Sequence, residues 1–411
     1  MDKKPEKLVP EVRFKGFTDD WEHRKLGENT MLITKGTTPY NKSNKGPINF
    51  IKVENIKNNT ISPSMHITEI ENDSHLSRSK LKENDILFSI AGTLGRTAIV
   101  TSNILPANTN QALAIIRGYN FNQQFLINYL SGRAVKNFIR QNPTIGAQPN
   151  LSLKQIKSFT ITVPNNDYEQ IKIGSLIKKL NNLVTLQQRK LEQLKQLKKA
   201  MLQQLFVDKN NKQPTLRFKN FKGDWKQHRL GEISTKVTTK NQSNASLPVF
   251  TNSAKDGIVN QEKFFDKQIA NNTSNYYVVN NNDFVYNPRI SKNAPFGPIR
   301  RNTLNKTGIM SPLYYIFSLS HNTDENFLSF YFLSSKWYKF MYENGDSGAR
   351  SDRFAIKDKV FQQMPIKLPL IIEQTEIGKF LNYVNILISL QQTKLTQLTT
   401  LKKYLLQKMF I

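Results

Sequence analysis

Residues 169–206 read EQIKIGSLIKKLNNLVTLQQRKLEQLKQLKKAMLQQLF, and residues 373–410 read EQTEIGKFLNYVNILISLQQTKLTQLTTLKKYLLQKMF. The two stretches align without a gap at an offset of 204 residues, with 19 identities in 38 positions. Neither contains Gly or Pro beyond Gly174 and Gly378, and apolar residues recur at three- and four-residue steps. Each stretch is therefore predicted to be one long helix, and the repeat organises the rest of the chain.

A second match has the same offset. Residues 10–28 read PEVRFKGFTDDWEHRKLGE, and residues 214–232 read PTLRFKNFKGDWKQHRLGE. The chain is therefore predicted to hold two tandem copies of one unit, each an aromatic arm, a globular region and a long helix. The predicted segments are 1–168 (arm and first globular domain), 169–206 (central helix), 207–372 (linker, repeated arm and second globular domain) and 373–411 (C-terminal helix).

The globular middles, residues 29–168 and 233–372, show little direct alignment. Each has short β-type runs separated by turn residues, and one stretch with helical spacing, at 125–141 in the first and 327–342 in the second. The predicted fold class is α+β, with two tandem mixed α/β domains that differ in detail on a shared frame.

The chain has 411 residues, 38% of them hydrophobic, which is enough for two packed domains. Its formal net charge is +28 and its pI is about 9.9, and both globular regions share the excess. Such a surface suits a polyanion, usually DNA or RNA, although a basic surface can also serve solubility alone.

Several function classes are disfavoured. The absence of cysteine excludes disulfides, thiolate zinc sites and cysteine nucleophiles, and it fits a cytoplasmic protein. No signal region and no apolar run of membrane-spanning length is present, so we expect a soluble chain with no membrane partner. The five histidines show no zinc-type spacing.

No motif in the sequence indicates an active site. Asn287 and Pro288 begin like the (Asp/Asn)-Pro-Pro-aromatic motif of DNA amino-methyltransferases, but Arg289 and Ile290 occupy the last two places. A glycine-rich dinucleotide fingerprint is also missing. We therefore expect no catalytic residue, no metal ligand and no cofactor bound by this chain.

The two long helices are expected to pair. Each would be about 57 Å long at 1.5 Å per residue, and neither would be stable with its leucines in water. The backbone of duplex DNA has two-fold axes perpendicular to its own axis, so two equivalent readers on neighbouring stretches would reverse the helices between them. An antiparallel coiled coil follows, interrupted by Gln187 and Gln188, that would act as a ruler between two half-sites. The alternative is that each helix packs on its own domain.

Candidate DNA contacts in the first domain lie in polar loops. The glycine turn AGTLGRT (91–97) can approach a phosphate, although a plain β-turn is the more common alternative, and NTNQ (108–111) offers amides of the type that pair with adenine. The candidates are Lys35, Thr37, Thr93, Arg96, Asn110, Gln111 and Gln148.

In the second domain the candidates are basic. NPRISKNAPFGPIRRN (287–302) and GDSGARSDR (345–353) place cations on structured loops, where they suit phosphate and guanine contacts. The candidates are Arg289, Lys292, Arg300, Arg301, Arg350 and Arg353.

With these residues in view, the chain resembles the specificity subunit of type I restriction–modification systems over essentially its whole length. The resemblance rests on the duplicated arm, on KGTTP (35–39) and DILFSIAGTLGRTAIV (85–100), on DFVYNPRIS (283–291) and GIMSPLY (308–314), and on the two helices. It implies two target recognition domains, each reading one half of a split double-stranded DNA site, on pseudo-two-fold symmetric helices.

The resemblance also implies partners that carry the chemistry. Two methylation subunits would dock on the helices, restriction subunits would join, and S-adenosylmethionine, ATP and magnesium would sit on those partners. The helices carry six and three net positive charges, so the two docking sites need not be equal in strength. The docking candidates are Leu191, Leu194, Lys198, Leu205, Leu395, Leu398, Lys402 and Met409.

Two other functions remain open from the residues alone. One is a scaffold or RNA-binding protein with a coiled-coil core, and the other is a self-sufficient DNA-modifying enzyme with unrecognised motifs.

Overall fold

A computed structural model describes residues 8–40, 44–141, 150–242, 246–266, 273–320, 322–346 and 352–411. The chain divides into two compact units. The first unit comprises residues 1–188 and 393–411, and the second comprises residues 189–392. Each unit therefore contains the beginning of one long helix and the end of the other.

The first unit is built on a four-stranded antiparallel sheet with the order β2-β10-β7-β8. Smaller sheets of order β1-β11, β6-β3-β9 and β4-β5 surround it. The strands are β1 (Glu22–Lys25), β2 (Thr30–Lys35), β3 (Ile48–Ile51), β4 (Ile56–Lys57), β5 (Thr60–Ile61), β6 (Met65–Ile67), β7 (Ile86–Ser89), β8 (Thr97–Ile99), β9 (Ala107–Thr109), β10 (Leu113–Tyr119) and β11 (Thr160–Val163). The helices are α1 (Glu69–Asp73), α2 (Gln123–Leu130), α3 (Arg133–Gln141), α4 (Leu153–Ser158) and the long α5 (Asp167–Gln204), which continues into the second unit.

Both faces of this sheet are covered. Along β10, Ala114 and Ile116 join one hydrophobic cluster while Leu113 and Ile115 join another. The alternation follows from the two-residue period of a strand. It explains why β10 reads as a continuous apolar run rather than as an alternating one.

The second unit has the corresponding sheet in the order β13-β20-β17-β18, with smaller sheets β12-β21, β14-β15 and β16-β19. Its strands are β12 (Lys226–Arg229), β13 (Ser234–Lys236), β14 (Phe250–Ser253), β15 (Gly257–Asn260), β16 (Tyr277–Val279), β17 (Phe284–Tyr286), β18 (Ile299–Arg301), β19 (Gly308–Met310), β20 (Tyr315–Leu319) and β21 (Pro365–Leu368). Its helices are α6 (Leu230–Ile233), α7 (Gln261–Phe265), α8 (Glu325–Leu333), α9 (Tyr338–Asn344), α10 (Asp358–Phe361) and the long α11 (Ile371–Lys408), which continues into the first unit.

The central sheets of the two units have one topology. In each, the first strand in chain order pairs with the last, and the last pairs with the second, which pairs with the third. The two middles, which hardly align as sequences, therefore hold the same antiparallel sheet.

The repeated arm is held to the repeated helix by an ion pair. Arg13 Nε lies 2.7 Å from Oε1 of Glu169, and Arg217 Nε lies 2.7 Å from Oε1 of Glu373. Both carboxylates are buried. In both cases the carboxylate raises the pKa of the arginine, chiefly through the hydrogen bond. The identity of the arm and of the first helical turn thus has a structural reason.

The next identical residues fix a small helix of each domain. Gln170 Oε1 accepts a hydrogen bond from Asn122 N at 3.0 Å, and Gln374 Oε1 accepts one from Asp324 N at 3.0 Å. A Cβ on Gly174 would lie 2.8 Å from Asn122 Oδ1. Glycine therefore lets the long helix approach the N-terminus of α2, and Gly378 serves α8 in the same way.

The end of the other long helix completes each core. In the first unit, Phe410 lies 5.2 Å from Phe125 between ring centroids, and in the second, Phe206 lies 5.1 Å from Phe327. Trp21 and Trp225 of the two arms pack on the same phenylalanines. One small helix per unit is thus held by both long helices and by the arm.

Two details of the sequence prediction are wrong. The helices predicted over 125–141 and 327–342 are each two shorter helices. The first pair breaks at Ser131 and Gly132, where Gly132 N bonds to Tyr129 O instead of continuing the helix. The hydrophobic period survives such a break because both pieces cover the same core.

Candidate nucleic-acid interface

Most of the first-domain candidates meet at one end of the central sheet. β2 ends at Lys35, β7 ends at Ser89, and β10 begins at Leu113, so the loops that follow or precede them lie together. Thr37 N bonds to Thr109 O at 3.2 Å. The side chain of Thr38 donates to Gln111 Oε1 at 2.5 Å, and Asn110 caps the turn by accepting from Ala112 N.

Two polar residues of these loops have internal roles. The Arg96 guanidinium donates to Val53 O at 3.0 Å and to Ile56 O at 3.3 Å, which joins the glycine turn to a neighbouring turn. Asn108 is fully buried and donates to Asn72 Oδ1 and Leu76 O. The amides proposed for base pairing are thus reduced to Asn110 and Gln111.

Sequence reasoning missed Tyr40. Its side chain is 84% exposed beside the KGTTP loop, and its ring stacks on His75 with centroids 3.9 Å apart. His75 Nε2 lies 3.2 Å from Thr38 O, so the pair is fixed to the loop. The signal in the sequence was an aromatic residue directly after a turn that already held two candidates.

In the second unit, Arg289 and Arg353 lie together. Their backbones form an antiparallel bridge, and Arg289 Nε is 3.8 Å from Asp352 Oδ2 with most of its side chain exposed. Lys292 is exposed on the same loop. These three residues can present positive charge at the end of the sheet where β17 ends and β20 begins.

Arg300 and Arg301 belong to strand β18 rather than to that loop. Arg300 donates to Ala254 O at 2.9 Å, and Arg301 donates to Asn326 Oδ1 at 2.8 Å. Burial lowers the pKa of both guanidinium groups. The five described second-domain candidates thus form two groups, a loop group and a half-buried strand group.

Two of the predicted contacts, Gln148 and Arg350, lie outside the described residues. Within the described ranges, no group of three or more metal-ligating side chains is found. Among the same residues, no helix has the length and apolarity required to cross a bilayer.

The docking candidates on the long helices differ in burial. Leu191, Leu205 and Met409 are buried, and the last two belong to the cores of their units, so they cannot form an exposed face. Lys198 and Lys402 are half-buried, and desolvation lowers the pKa of both amines. Leu194, Leu395 and Leu398 are partly exposed.

A different stripe of each helix is exposed. Leu186 and Leu390, which correspond in the repeat, are 58% and 62% exposed, and Leu197 and Leu401 are 42% and 45% exposed. Eleven residues separate the two leucines on each helix, which places them within about 20° of one another around the axis. Between them lie exposed residues that are also identical, Lys190 with Lys394 and Gln193 with Gln397.

Comparison with known proteins agrees with the duplication. The family model described as type I restriction modification DNA specificity domain matches residues 18–196 and again residues 222–400. A sequence assigned as the MjaX type I restriction enzyme specificity subunit of Methanocaldococcus jannaschii is 24% identical, over 94% of this chain and 91% of that protein.

Two solved structures share the fold. The type I restriction–modification S subunit from M. genitalium superposes with a TM-score of 0.60 at 12% identity, covering 98% of this chain and 99% of that one. A chain solved in a study of complex assembly in the type I system gives a TM-score of 0.54 at 17% identity, covering 95% and 97%.

The matched domains, present twice and covering most of the chain, define a protein of the DNA-specificity class. The chain belongs to the type I restriction–modification specificity family, as the sequence predicted, and it serves as the sequence-specific DNA-binding subunit of such a system.

Proposed function

We propose that each unit reads one half of a bipartite duplex site through the loops at the end of its central sheet, and that the chain itself is not catalytic. The observation that supports this is the contrast, in each unit, between the repeated frame and the loops of the sheet. The contacts that hold the frame recur at equivalent residues, while the loops that the sheet presents differ. A common scaffold with different polar loops suits two different base sequences.

The long helices act as the spacer between the half-sites, as an antiparallel coiled coil with a pseudo-two-fold axis. The composition of the units supports this arrangement. Each unit contains the start of one helix and the end of the other, so each helix begins in one reader and ends in the other. The separation of the half-sites then follows from helix length at about 1.5 Å per residue.

Two methylation subunits dock on this chain, and restriction subunits join the assembly. Support comes from the exposed stripe of each helix (Leu186, Lys190, Gln193 and Leu197, repeated as Leu390, Lys394, Gln397 and Leu401). Packing explains identity at buried positions, but it gives no reason for identity at exposed ones. A repeated exposed surface with leucines at both ends suits two copies of one partner.

The chemistry belongs to those partners. S-adenosylmethionine would supply the methyl group on the methylation subunits, and ATP with magnesium would serve the restriction subunits. The residues of this chain would select the DNA and position it.

A domain exchange tests the reading role. Residues 29–168 are replaced with the corresponding region of a related subunit, and methylated adenines are mapped across a genome that carries either form. One half of the methylated site should change while the other half and the spacing stay the same. A change in both halves, or in neither, would contradict one reader per half-site.

Competition binding tests the class of partner. DNA and RNA are compared at equal salt, because salt changes the electrostatic attraction that both share. Under these conditions, duplex DNA that carries the mapped site should displace RNA of equal length. RNA that binds as tightly as the duplex would favour the RNA-binding alternative.

Glutamate substitutions test the docking surface. Leu186→Glu or Leu390→Glu should each lower the number of methylation subunits bound per chain, as measured by light scattering of the complex. Stability should change by no more than about 0.5 kcal/mol, because both side chains are exposed. Ile70→Glu, at an 82% exposed position in the short helix α1 rather than on a long helix, is the matched control and should leave assembly intact.

A further inference from the structure

The first unit presents an exposed aromatic ring at the end of its central sheet. Tyr40 follows the KGTTP loop directly, and its side chain is 84% exposed. Single exposed apolar side chains are ordinary on protein surfaces, so exposure alone assigns no role to this residue. Two further observations give it one, because the loop that carries Tyr40 and the ring behind it are both held in place.

The loop that carries Tyr40 is packed against the loop before β10. A Cβ on Gly36 would lie 2.0 Å from Thr109 O, so glycine is needed for the two loops to approach this closely. Thr37 N bonds to Thr109 O at 3.2 Å, and Pro39, directly before Tyr40, is buried. The backbone that leads to Tyr40 is therefore fixed at the end of the sheet where other candidate contacts of the first unit lie.

The ring of Tyr40 is supported on one face. The rings of Tyr40 and His75 are stacked, with centroids 3.9 Å apart and an interplanar angle of 24°. His75 Nε2 lies within hydrogen-bond distance of Thr38 O, at 3.2 Å, so the imidazole is joined to the same loop. Since the tyrosine is nevertheless mostly exposed, its other face and its edge are open to a ligand.

This support disfavours one way of binding DNA. A side chain that wedges between two base pairs needs both of its faces, because a base lies on each side of it. One face of Tyr40 is already covered by His75. The remaining face and edge suit an apolar group that projects into a groove. In the major groove, the apolar group that distinguishes one base from the others is the 5-methyl of thymine.

A polar side chain at the same end of the sheet matches the partner of thymine. The Thr38 hydroxyl donates to Gln111 Oε1 at 2.5 Å, and the Thr38 carbonyl faces His75, so Thr38 connects Gln111 with the stacked rings. Glutamine amides pair with the N6 and N7 edge of adenine. An A·T pair presents that edge and the thymine methyl in the same groove, so an amide and an aromatic ring on joined loops fit A·T pairs.

The second unit has no such ring in the corresponding loop. Residues 237–242, which follow β13, read VTTKNQ and contain no aromatic side chain, and Asn241 among them is buried. That unit instead presents Arg289 and Arg353, whose guanidinium groups suit guanine and phosphate. An aromatic contact is therefore particular to the first unit rather than a requirement of the shared sheet.

We propose that Tyr40, supported by His75, reads a thymine of the first half-site by packing on its 5-methyl group in the major groove. The inference rests on the proposed reading of one half-site by the first unit. Tyr40 is then a specificity-determining residue, and His75 is a positioning residue that acts through it. Burial of the methyl group against the ring favours thymine over unmodified cytosine, which has no methyl group at this place.

A deoxyuridine scan tests the proposal with the full chain. Each thymine of the half-site that the first unit reads is replaced in turn with deoxyuridine, which removes the 5-methyl group and keeps the pairing edge, and Kd is measured for each duplex. At one position binding should weaken about fourfold, the worth of one buried methyl group. If no position responds, the proposal is wrong even where Tyr40→Ala weakens binding, because the ring would then not read a methyl group.

Four variants connect the deoxyuridine response to the stacked pair. The response should disappear in Tyr40→Ala and persist in Tyr40→Phe, which keeps the ring. It should shrink in His75→Ala and persist in His75→Phe, which can still stack. Tyr342→Ala is the control, since this tyrosine is 77% exposed in the second unit, and the response should stay unchanged. A response of full size in Tyr40→Ala or in His75→Ala would overturn the role assigned to that residue.

Binding to a random duplex of the same length separates this inference from the proposed function. If the chain prefers its bipartite site and the deoxyuridine scan is flat, the contact assigned to Tyr40 is wrong while the reading role stands. If the chain does not prefer the bipartite site over the random duplex, the proposed function itself is contradicted, and the contact with it.

Discussion

The two units have a buried carboxylate at an equivalent position, but its partners differ. Asp85, just before β7, and Asp283, just before β17, are 1% and 5% exposed, and each accepts a hydrogen bond from the backbone N three residues earlier. Asp85 also binds Arg117 of β10 through two bonds of 2.7 and 2.6 Å. By the strand register, Ser318 of β20 stands opposite Asp283 where the first unit has Arg117.

The difference shows what the shared sheet determines and what it leaves free. Both units have a carboxylate that accepts a hydrogen bond from the backbone in the turn before the equivalent strands β7 and β17. Among the described residues, only the first unit places a cation on it. Burial without a cation raises the pKa of Asp283 to about 6, while the hydrogen bond from Asn280 N opposes the rise.

The largest expected effect concerns the feature that the units share. Arg13→Met leaves Glu169 buried without a cation, and Arg217→Met does the same to Glu373. Each should lower the free energy of unfolding of its unit by about 3–5 kcal/mol, because an uncompensated buried charge is strongly unfavourable. Urea denaturation of each variant measures the loss. The double variant Arg13→Met with Glu169→Gln should recover most of it, and unequal losses in the two units would argue against an equivalent frame.

The next prediction makes the environment of Asp85 in the first unit resemble that of Asp283 in the second. Arg117→Met would leave Asp85 unpaired, as Asp283 is, and should destabilise the first unit by about 3 kcal/mol at pH 8. Urea denaturation measures the loss, and Arg117→Lys, which keeps a cation beside Asp85, should lose less. An equal loss in Arg117→Met and Arg117→Lys would show that Arg117 acts through packing rather than through charge.

Asp283→Asn should have the opposite sign. The folded-state pKa of about 6 exceeds the ordinary 3.8, so the folded state holds the proton more tightly. Stability from this group is therefore present below pH 4 and is lost as pH rises through 6. Asparagine keeps an oxygen for Asn280 N without the charge, and the variant should gain about 2 kcal/mol at pH 8. The same urea titration at pH 4 should show little gain, and a gain independent of pH would refute the assignment.

The smallest expected effect on stability separates two arginines that looked alike in the sequence. Arg96→Ala removes bonds to two backbone carbonyls and should cost about 1–2 kcal/mol. Arg289→Ala should change stability by no more than about 0.5 kcal/mol, because its ion pair is exposed, but it should reduce the slope of log K against log salt by about one. Parallel denaturation and salt-dependent DNA titration distinguish them, and an Arg289→Ala variant with an unchanged slope would exclude a phosphate contact.

The frame could be predicted from the sequence because it repeats. Arg13, Glu169, Gln170 and Gly174 each have an identical residue 204 positions later, so the repeat marked these residues, and the structure then showed which contacts they make. The common sheet could not be seen in this way, because strand pairing uses the backbone and tolerates many apolar side chains. The breaks between α2 and α3 and between α8 and α9 could not be predicted either, because the hydrophobic period continues across each break.

The candidate site was predicted only at the level of loops. Lys35, Thr37 and Gln111 do converge, since Lys35 ends β2 and the other two lie in the loops beside the neighbouring strand ends. Whether a polar residue on such a loop faces outward depends on partners far along the chain, as Arg96 and Asn108 show with carbonyls more than 30 residues away. A cavity at the end of the central sheet of the second unit is lined by several separate segments, and no local sequence pattern predicts such a cavity.

The division of the chain into units also sets an order of biosynthesis. The second unit uses only residues 189–392, and it is complete once that stretch has left the ribosome. The core of the first unit includes Leu405, Met409 and Phe410, which are made more than 200 residues after α5 begins. Although the first reader is translated earlier, the second reader is the first whose core is fully synthesised, and released chains truncated between residues 392 and 405 should carry one finished domain and one that still lacks part of its interior.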